Sequence, residues 1–154
     1  MARFSRRLPA LLLAFFFSWM VLPSAFAAQP QMVSVAVKTL NMRTAPSQRA
    51  EAHWTVSRGY PLRVIGRKGD WLRVTDFEND KAWVFRSMTS KTPHHVVKSK
   101  TAQLRRAPGA RSPVVKKAVY GDVLRTLERR GDWVKVRHEG GATGWVLKRS
   151  LWGW

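Results

Sequence analysis

The chain of 154 residues has no cysteine. That excludes a disulfide framework, a thiolate nucleophile, a Cys-ligated zinc and the acylated N-terminal Cys of a lipoprotein. Acidic side chains are scarce as well: nine Asp+Glu stand against 28 Lys+Arg, a formal net charge of +19. Nine scattered acids offer little from which to build a paired-carboxylate centre, and the charge excess favours anionic partners. Also absent are a Gly-x-Ser-x-Gly elbow, a Walker loop and a Gly-x-Gly-x-x-Gly turn opening a helix. The four histidines, His53, His94, His95 and His138, include one adjacent pair. Neighbours in a strand point to opposite faces, and no i, i+4 His pair accompanies them, so no metal site is expected. No catalytic residue and no cofactor is expected either.

What is present begins with a basic and then greasy N-terminus. Arg3, Arg6 and Arg7 precede an apolar run from Leu8 to Leu22, which ends in Pro23-Ser24-Ala25-Phe26-Ala27. This is the pattern of a secretory signal peptide cleaved after Ala27. The run is short for a helix crossing about 30 Å of hydrocarbon, although an uncleaved anchor is the alternative. Arg6-Arg7 also admits a twin-arginine route, against which the Leu-Pro step and the apolar run speak. The expected division is a signal peptide at 1–27 and two domains at 28–90 and 91–154.

The two domains follow from an internal repeat. A shift of 62 residues lays Lys38-Thr39-Leu40-Asn41-Met42-Arg43-Thr44-Ala45-Pro46 on Lys100-Thr101-Ala102-Gln103-Leu104-Arg105-Arg106-Ala107-Pro108. The same shift lays Gly69-Asp70-Trp71 on Gly131-Asp132-Trp133, and Trp83-Val84 on Trp145-Val146. The polar stretch around Lys91-Thr92-Pro93 marks the break. Within each unit the period is two. Val33, Val35 and Val37 alternate with small residues, and Leu72/Val74 and Val134/Val136 alternate with Arg or Lys. Gly69-Asp70, Gly131-Asp132 and Gly140-Gly141 read as tight turns between strands. Short strands at this spacing mean an all-β protein of two small barrels or sandwiches.

The order Leu-Asn-Met-Arg-x-x-Pro, a long loop, Gly-x-x-Leu-Arg, then Gly-Asp-Trp-x-x-Val and Trp-Val resembles the bacterial SH3 domain. Two copies would cover about residues 33–90 and 95–154. The resemblance implies two SH3-like barrels in tandem and a non-catalytic role at the cell envelope. It also implies a ligand such as peptidoglycan or a partner protein.

Trp71 and Trp133 are the leading candidates for a binding surface. In Trp133-Val134-Lys135-Val136 the valines share one face, so the tryptophan lies on the other. Each ring either lines a groove, as the matching tryptophan does in the eukaryotic SH3 domains this stretch resembles, or packs under the long loop of its unit. The groove Pro and Tyr of those domains are missing, and the loops are basic. An acidic ligand therefore fits better than a basic proline-rich peptide.

Basic residues are concentrated in the second unit. Residues 29–90 carry a net +5 and residues 91–154 a net +11. Arg105, Arg106, Lys116 and Lys117 are the expected anion contacts, since Arg grips carboxylates bidentately. Arg43 and Arg105 recur at matching positions, as do Asp70 and Asp132, either as braces or as exposed charges. Trp54 reads as a loop aromatic capping its barrel, Trp83 and Trp145 as edge-of-core, and Asp76, Glu78 and Asp80 as a solvated hairpin tip. Trp152 and Trp154 either pack back on the second unit or dock on a partner.

These features describe an exported, more readily periplasmic than extracellular, binding module for peptidoglycan or another anionic envelope polymer. The alternative is an adaptor for an envelope protein anchored by the Trp-rich C-terminus. Export argues against nucleic acid as the physiological ligand, though a chain this basic binds polyanions in general. Contact with a membrane would be confined to the signal peptide.

Overall fold

Alternation and turns combine into two sheets built to one plan. The computed structural model describes residues 30–154, and the expected signal peptide lies outside the described residues. The first sheet contains β1 (Met32–Val35), β2 (Thr39–Arg43), β3 (Ala52–Ser57), β4 (Pro61–Lys68), β5 (Trp71–Thr75), β6 (Lys81–Phe85) and β7 (Thr89–Ser90). The second contains β8 (His94–Val97), β9 (Thr101–Arg105), β10 (Val114–Val119), β11 (Val123–Arg130), β12 (Trp133–His138), β13 (Thr143–Leu147) and β14 (Leu151–Gly153). The strand orders, β3-β2-β6-β5-β4-β1-β7 and β10-β9-β13-β12-β11-β8-β14, are the same path traced twice. Every pairing is antiparallel. A single 3₁₀ turn precedes the last strand of each sheet, at Arg86–Met88 and Lys148–Ser150. Among the described residues no helix is long and apolar enough to cross a membrane.

The hairpins sit where glycine permits them. Lys68 pairs with Trp71 and Arg130 with Trp133, leaving Gly69-Asp70 and Gly131-Asp132 as two-residue turns. Gly69 and Gly131 have φ of 54° and 55°, a left-handed conformation that costs glycine little. The long strands β4 and β11 each carry a bulge at matching places, between Val64 and Gly66 and between Thr126 and Glu128. A bulge bends its strand and raises the local twist, which lets one strand serve both sides of a small barrel. The skipped residues, Ile65 and Leu127, are exposed.

Each barrel closes on its own apolar core. Val35, Leu40, Met42, Val56, Leu62, Leu72, Val74 and Val84 fill the first. Val97, Ala102, Leu104, Ala118, Leu124, Val134, Val136 and Val146 fill the second at the same offset. One core position departs from this. Val33 is replaced by His95, which is 2 % exposed. The Nδ1 of His95 lies 2.7 Å from Thr126 Oγ1, and its Nε2 lies 2.6 Å from the main-chain oxygen of Trp154. Burial pushes this imidazole down to about 4, so the ring is neutral.

The two barrels touch. Gly59 is buried, and a side chain there would meet the His94 ring at 2.8 Å and Val123 at 3.2 Å. Phe77, between β5 and β6, stands edge-on to Tyr120 of the second unit at 5.2 Å and tilts against Tyr60 at 6.3 Å. The Tyr120 hydroxyl donates to Glu78, which raises its pKa, and burial raises that of Tyr60. Ser34 donates to the carbonyl of Thr92 at 2.8 Å, tying the linker to β1. The Asp76–Asp80 tip is therefore not simply solvated. Asp76 is 2 % exposed, and one of its carboxylate oxygens accepts from the N–H groups of Glu78 and Asp80 at 3.0 and 2.9 Å. The loop folds over its own first acid because a carboxylate facing two free N–H groups satisfies them at once.

Candidate functional site

A pleated strand sends alternate side chains to opposite faces, so burial of Leu72 and Val74 places Trp71 on the outer face of β5. Cross-strand register then sets its neighbour. Trp71 pairs with Phe85 on β6, and their rings meet edge-on at 5.3 Å. Thr39, Asn41 and Arg43 on β2, together with Met88 from the 3₁₀ turn, complete a groove of about 350 Å³. Trp71 is half-buried in it and Met88 is exposed.

The second unit repeats the construction. Trp133 pairs with Leu147 on β13. Thr101, Gln103 and Arg105 on β9 face them across a groove of about 290 Å³, with Arg149 and Ser150 at the 3₁₀ turn. Neither groove forms from neighbours in sequence. Each is assembled from one edge of β2 or β9, the start of β5 or β12, and the end of β6 or β13. Leu147 and Ser150 stand where the first groove has Phe85 and Met88, and Arg149 stands where the first unit has Ser87.

Residues 36–91 match one family model of the bacterial SH3 domain, and residues 100–151 match another. The chain is a tandem of two bacterial SH3 domains. Both matched models describe SH3 domains, and neither describes a catalytic domain. No curated protein matches. Among solved structures, NlpC2 from Trichomonas vaginalis aligns at 8 % identity with a TM-score of 0.37, over 80 % of this chain and 48 % of that one. NlpC1 from the same organism aligns at 10 % identity with a TM-score of 0.38, over 83 % and 47 %. An NlpC/P60 family protein from Bacillus cereus aligns at 15 % identity with a TM-score of 0.38, over 79 % and 56 %. The chain thus spans about half the length of the structures it matches.

The tandem SH3 structure distributes the expected contact residues unevenly. Arg105 lines the second groove, but its guanidinium donates to the carbonyl of Ser112 at 2.7 Å and to Gln103. Arg43 does the same in the first domain, donating to Ala50 at 2.6 Å. These matching arginines stitch the long loop to its strand, and neither pairs with the turn aspartate. Asp70 instead takes Arg86 at 2.8 Å, with both side chains exposed. Arg106 is exposed in the long loop. Lys116 and Lys117 lie on β10 opposite Leu104 and Gln103, so they address opposite faces of the strand. Lys117 shares the side of the groove residue Gln103. Lys116 shares that of buried Leu104.

Other aromatics are structural in different ways. Trp54 is on strand β3 rather than in a loop, and packs half-buried on the first core. Trp145 is 5 % exposed but lies outside the second core cluster. Arg130 sits 5.0 Å above its ring and Lys135 sits 6.0 Å away, so cationic stems cover it from outside. Trp152 and Trp154 are half-buried, and the Arg63 guanidinium of the first domain lies 5.5 Å from the Trp152 ring. Phe85, Met88 and Arg149 escaped notice in the sequence. The signal was available in the antiparallel return of Trp-Val-Phe and Trp-Val-Leu against the Gly-Asp-Trp strand.

Proposed function

We propose that this protein is an exported, non-catalytic module of the bacterial envelope whose paired grooves hold an acidic cell-wall ligand, such as a peptidoglycan stem peptide. The observation that carries the reading is the recurrence of one groove at one offset. In each domain a half-buried tryptophan stands across from an arginine-braced strand, and the second groove has Arg105 and Arg149 in its lining and no acidic residue. An indole supplies a flat apolar face at small entropic cost, and nearby cations select carboxylates. Trp71 and Trp133 are the stacking surfaces in this reading. Arg149 is the exposed cation lining the second groove, Arg105 shapes its wall, and exposed Lys117, beside Gln103, and Arg106 add positive charge to the same domain.

A second reading, an adaptor for another envelope protein, draws on the apolar lining of the first groove by Trp71, Phe85 and Met88. Co-sedimentation with purified peptidoglycan at low and at about 150 mM salt separates the two, because the screening length falls to about 8 Å at the higher salt. Wall binding predicts retention at the higher salt that is lost in Trp71→Ala or Trp133→Ala variants with unchanged far-UV spectra. Retention at low salt alone would mean generic polyanion attraction and would leave the adaptor reading standing.

A further inference from the structure

We propose that the cleft between the two SH3 domains is a second ligand site, and that it takes an anionic sugar ring. The cleft holds about 440 Å³, more than either groove. Met32 and Arg63 enter it from the first domain, and Arg129, Trp152, Gly153 and Trp154 from the second. It has no counterpart within either domain, since at the repeat offset Ser90 and Thr92 stand where Trp152 and Trp154 stand. Only the tandem creates it.

Its walls are held in place from behind. The main-chain oxygen of Trp154 is bound by buried His95, which Thr126 orients in turn. Gly153 has φ of 146°, and a side chain there would run into the carbonyl oxygen of His94. Glycine thus lets β14 lie against β8, and Trp152 on that strand and Trp154 just after it line the cleft. Arg63 and Met32 are cross-strand partners and share a face. Arg63 covers Trp152 at 5.5 Å. Arg129 is exposed.

The lining therefore offers two guanidinium groups, two half-buried indoles and no acidic side chain. A guanidinium binds a carboxylate or phosphate through paired N–H donors. An indole face accepts the C–H face of a sugar ring and loses little solvation in doing so. A ligand that satisfies both is a sugar carrying an anionic group. A neutral sugar leaves the arginines unanswered, and a bare anion leaves the indoles so.

Tryptophan fluorescence titrations of the purified protein at about 150 mM salt test this with tetragalacturonate, glucose 6-phosphate and maltotetraose. Tetragalacturonate or glucose 6-phosphate should bind at least tenfold more tightly than maltotetraose, and which one binds tells carboxylate from phosphate. Arg129→Gln should weaken that binding roughly tenfold, as loss of a hydrogen bond to a charged group does. Trp152→Ala, with its fold checked by far-UV dichroism, should weaken it comparably. Arg137→Gln, which removes an exposed charge elsewhere on β12, should leave it unchanged. Trp71→Ala and Trp133→Ala should also leave it unchanged, so failure here and failure of the groove reading are separate results. Equal binding of maltotetraose, equal effects of Arg129→Gln and Arg137→Gln, or no binding of either anionic sugar would overturn the proposal.

Discussion

The two SH3 domains share a strand order, a bulge, a turn and a groove, yet differ in what they present. The first lines its groove with Trp71, Phe85 and Met88; the second with Trp133, Leu147, Arg149 and Ser150. The first seals the position beside β4 with Val33, and the second places His95 there. Residues facing the core are exchanged only for apolar residues or glycine at most matching positions, because each barrel must exclude water to exist. Residues facing outward are free to diverge, and the charge difference of the two halves has accumulated there. The exception among the fully buried positions, His95, is tolerated because both ring nitrogens find partners.

The largest expected effect tests the shared part. Met42→Ala and Leu104→Ala empty the same fully buried position in each barrel and should each cost about 2–5 kcal/mol. Denaturant unfolding followed by tryptophan emission should show comparable losses. A loss confined to one variant would mean the cores are not equivalent.

Acid should then tell the domains apart. The imidazole of His95 stays neutral in the fold down to about pH 4, whereas the unfolded chain takes up a proton near 6.5. The unfolded state thus binds more protons between those values, and stability falls as pH drops from about 6.5 to about 4. The loss amounts to about 3 kcal/mol. Arg129, Lys148 and His94 add to the cost of a charge there. The second domain should melt earlier at pH 4 than at pH 7. A double His95→Val, Thr126→Val variant, which restores the pair found in the first domain, should flatten the dependence.

A smaller effect concerns the grooves. Arg149→Ser should weaken an acidic wall ligand about tenfold at the second groove, in line with about 1.5 kcal/mol for a charged hydrogen bond. The matching change in the first domain cannot be made, because Ser87 is already there. Binding isotherms that respond equally to Arg149→Ser and to Arg137→Gln would show that the groove charge has no special place. The smallest effect is at the surface. Arg86→Ala removes the exposed pair with Asp70 and should change stability by less than about 1 kcal/mol. Lys148→Ala, at the same position of the second domain, should do no more, and a thermal melt resolves the two.

Much of the architecture was legible because its causes are local. Alternation in Leu-Asn-Met-Arg marks which side of β2 is buried, and Gly69-Asp70 marks where the chain reverses. Identity at one offset reveals that the unit is used twice. The groove was half legible. Trp71 and Trp133 stand out by their repetition, but Phe85 and Met88 depend on pairing across β5 and β6. Arg105 looked like a free cation, since nothing in its neighbourhood shows that the loop returns Ser112 to it. Asp76 looked solvated for the same reason, its N–H partners being created by the turn itself.

The sequence by itself determined two antiparallel SH3 units, their turns and the apolar side of each strand. Period, glycine and repeat are properties of residues a few positions apart. Only the tertiary structure decided which cations remain free, how His95 is satisfied, and that Trp152 meets Arg63 across the two domains. The loop carbonyls that hold Arg43 and Arg105 and the partners of His95 come into place only when each barrel closes, and the Arg63–Trp152 contact forms only when the two barrels come together.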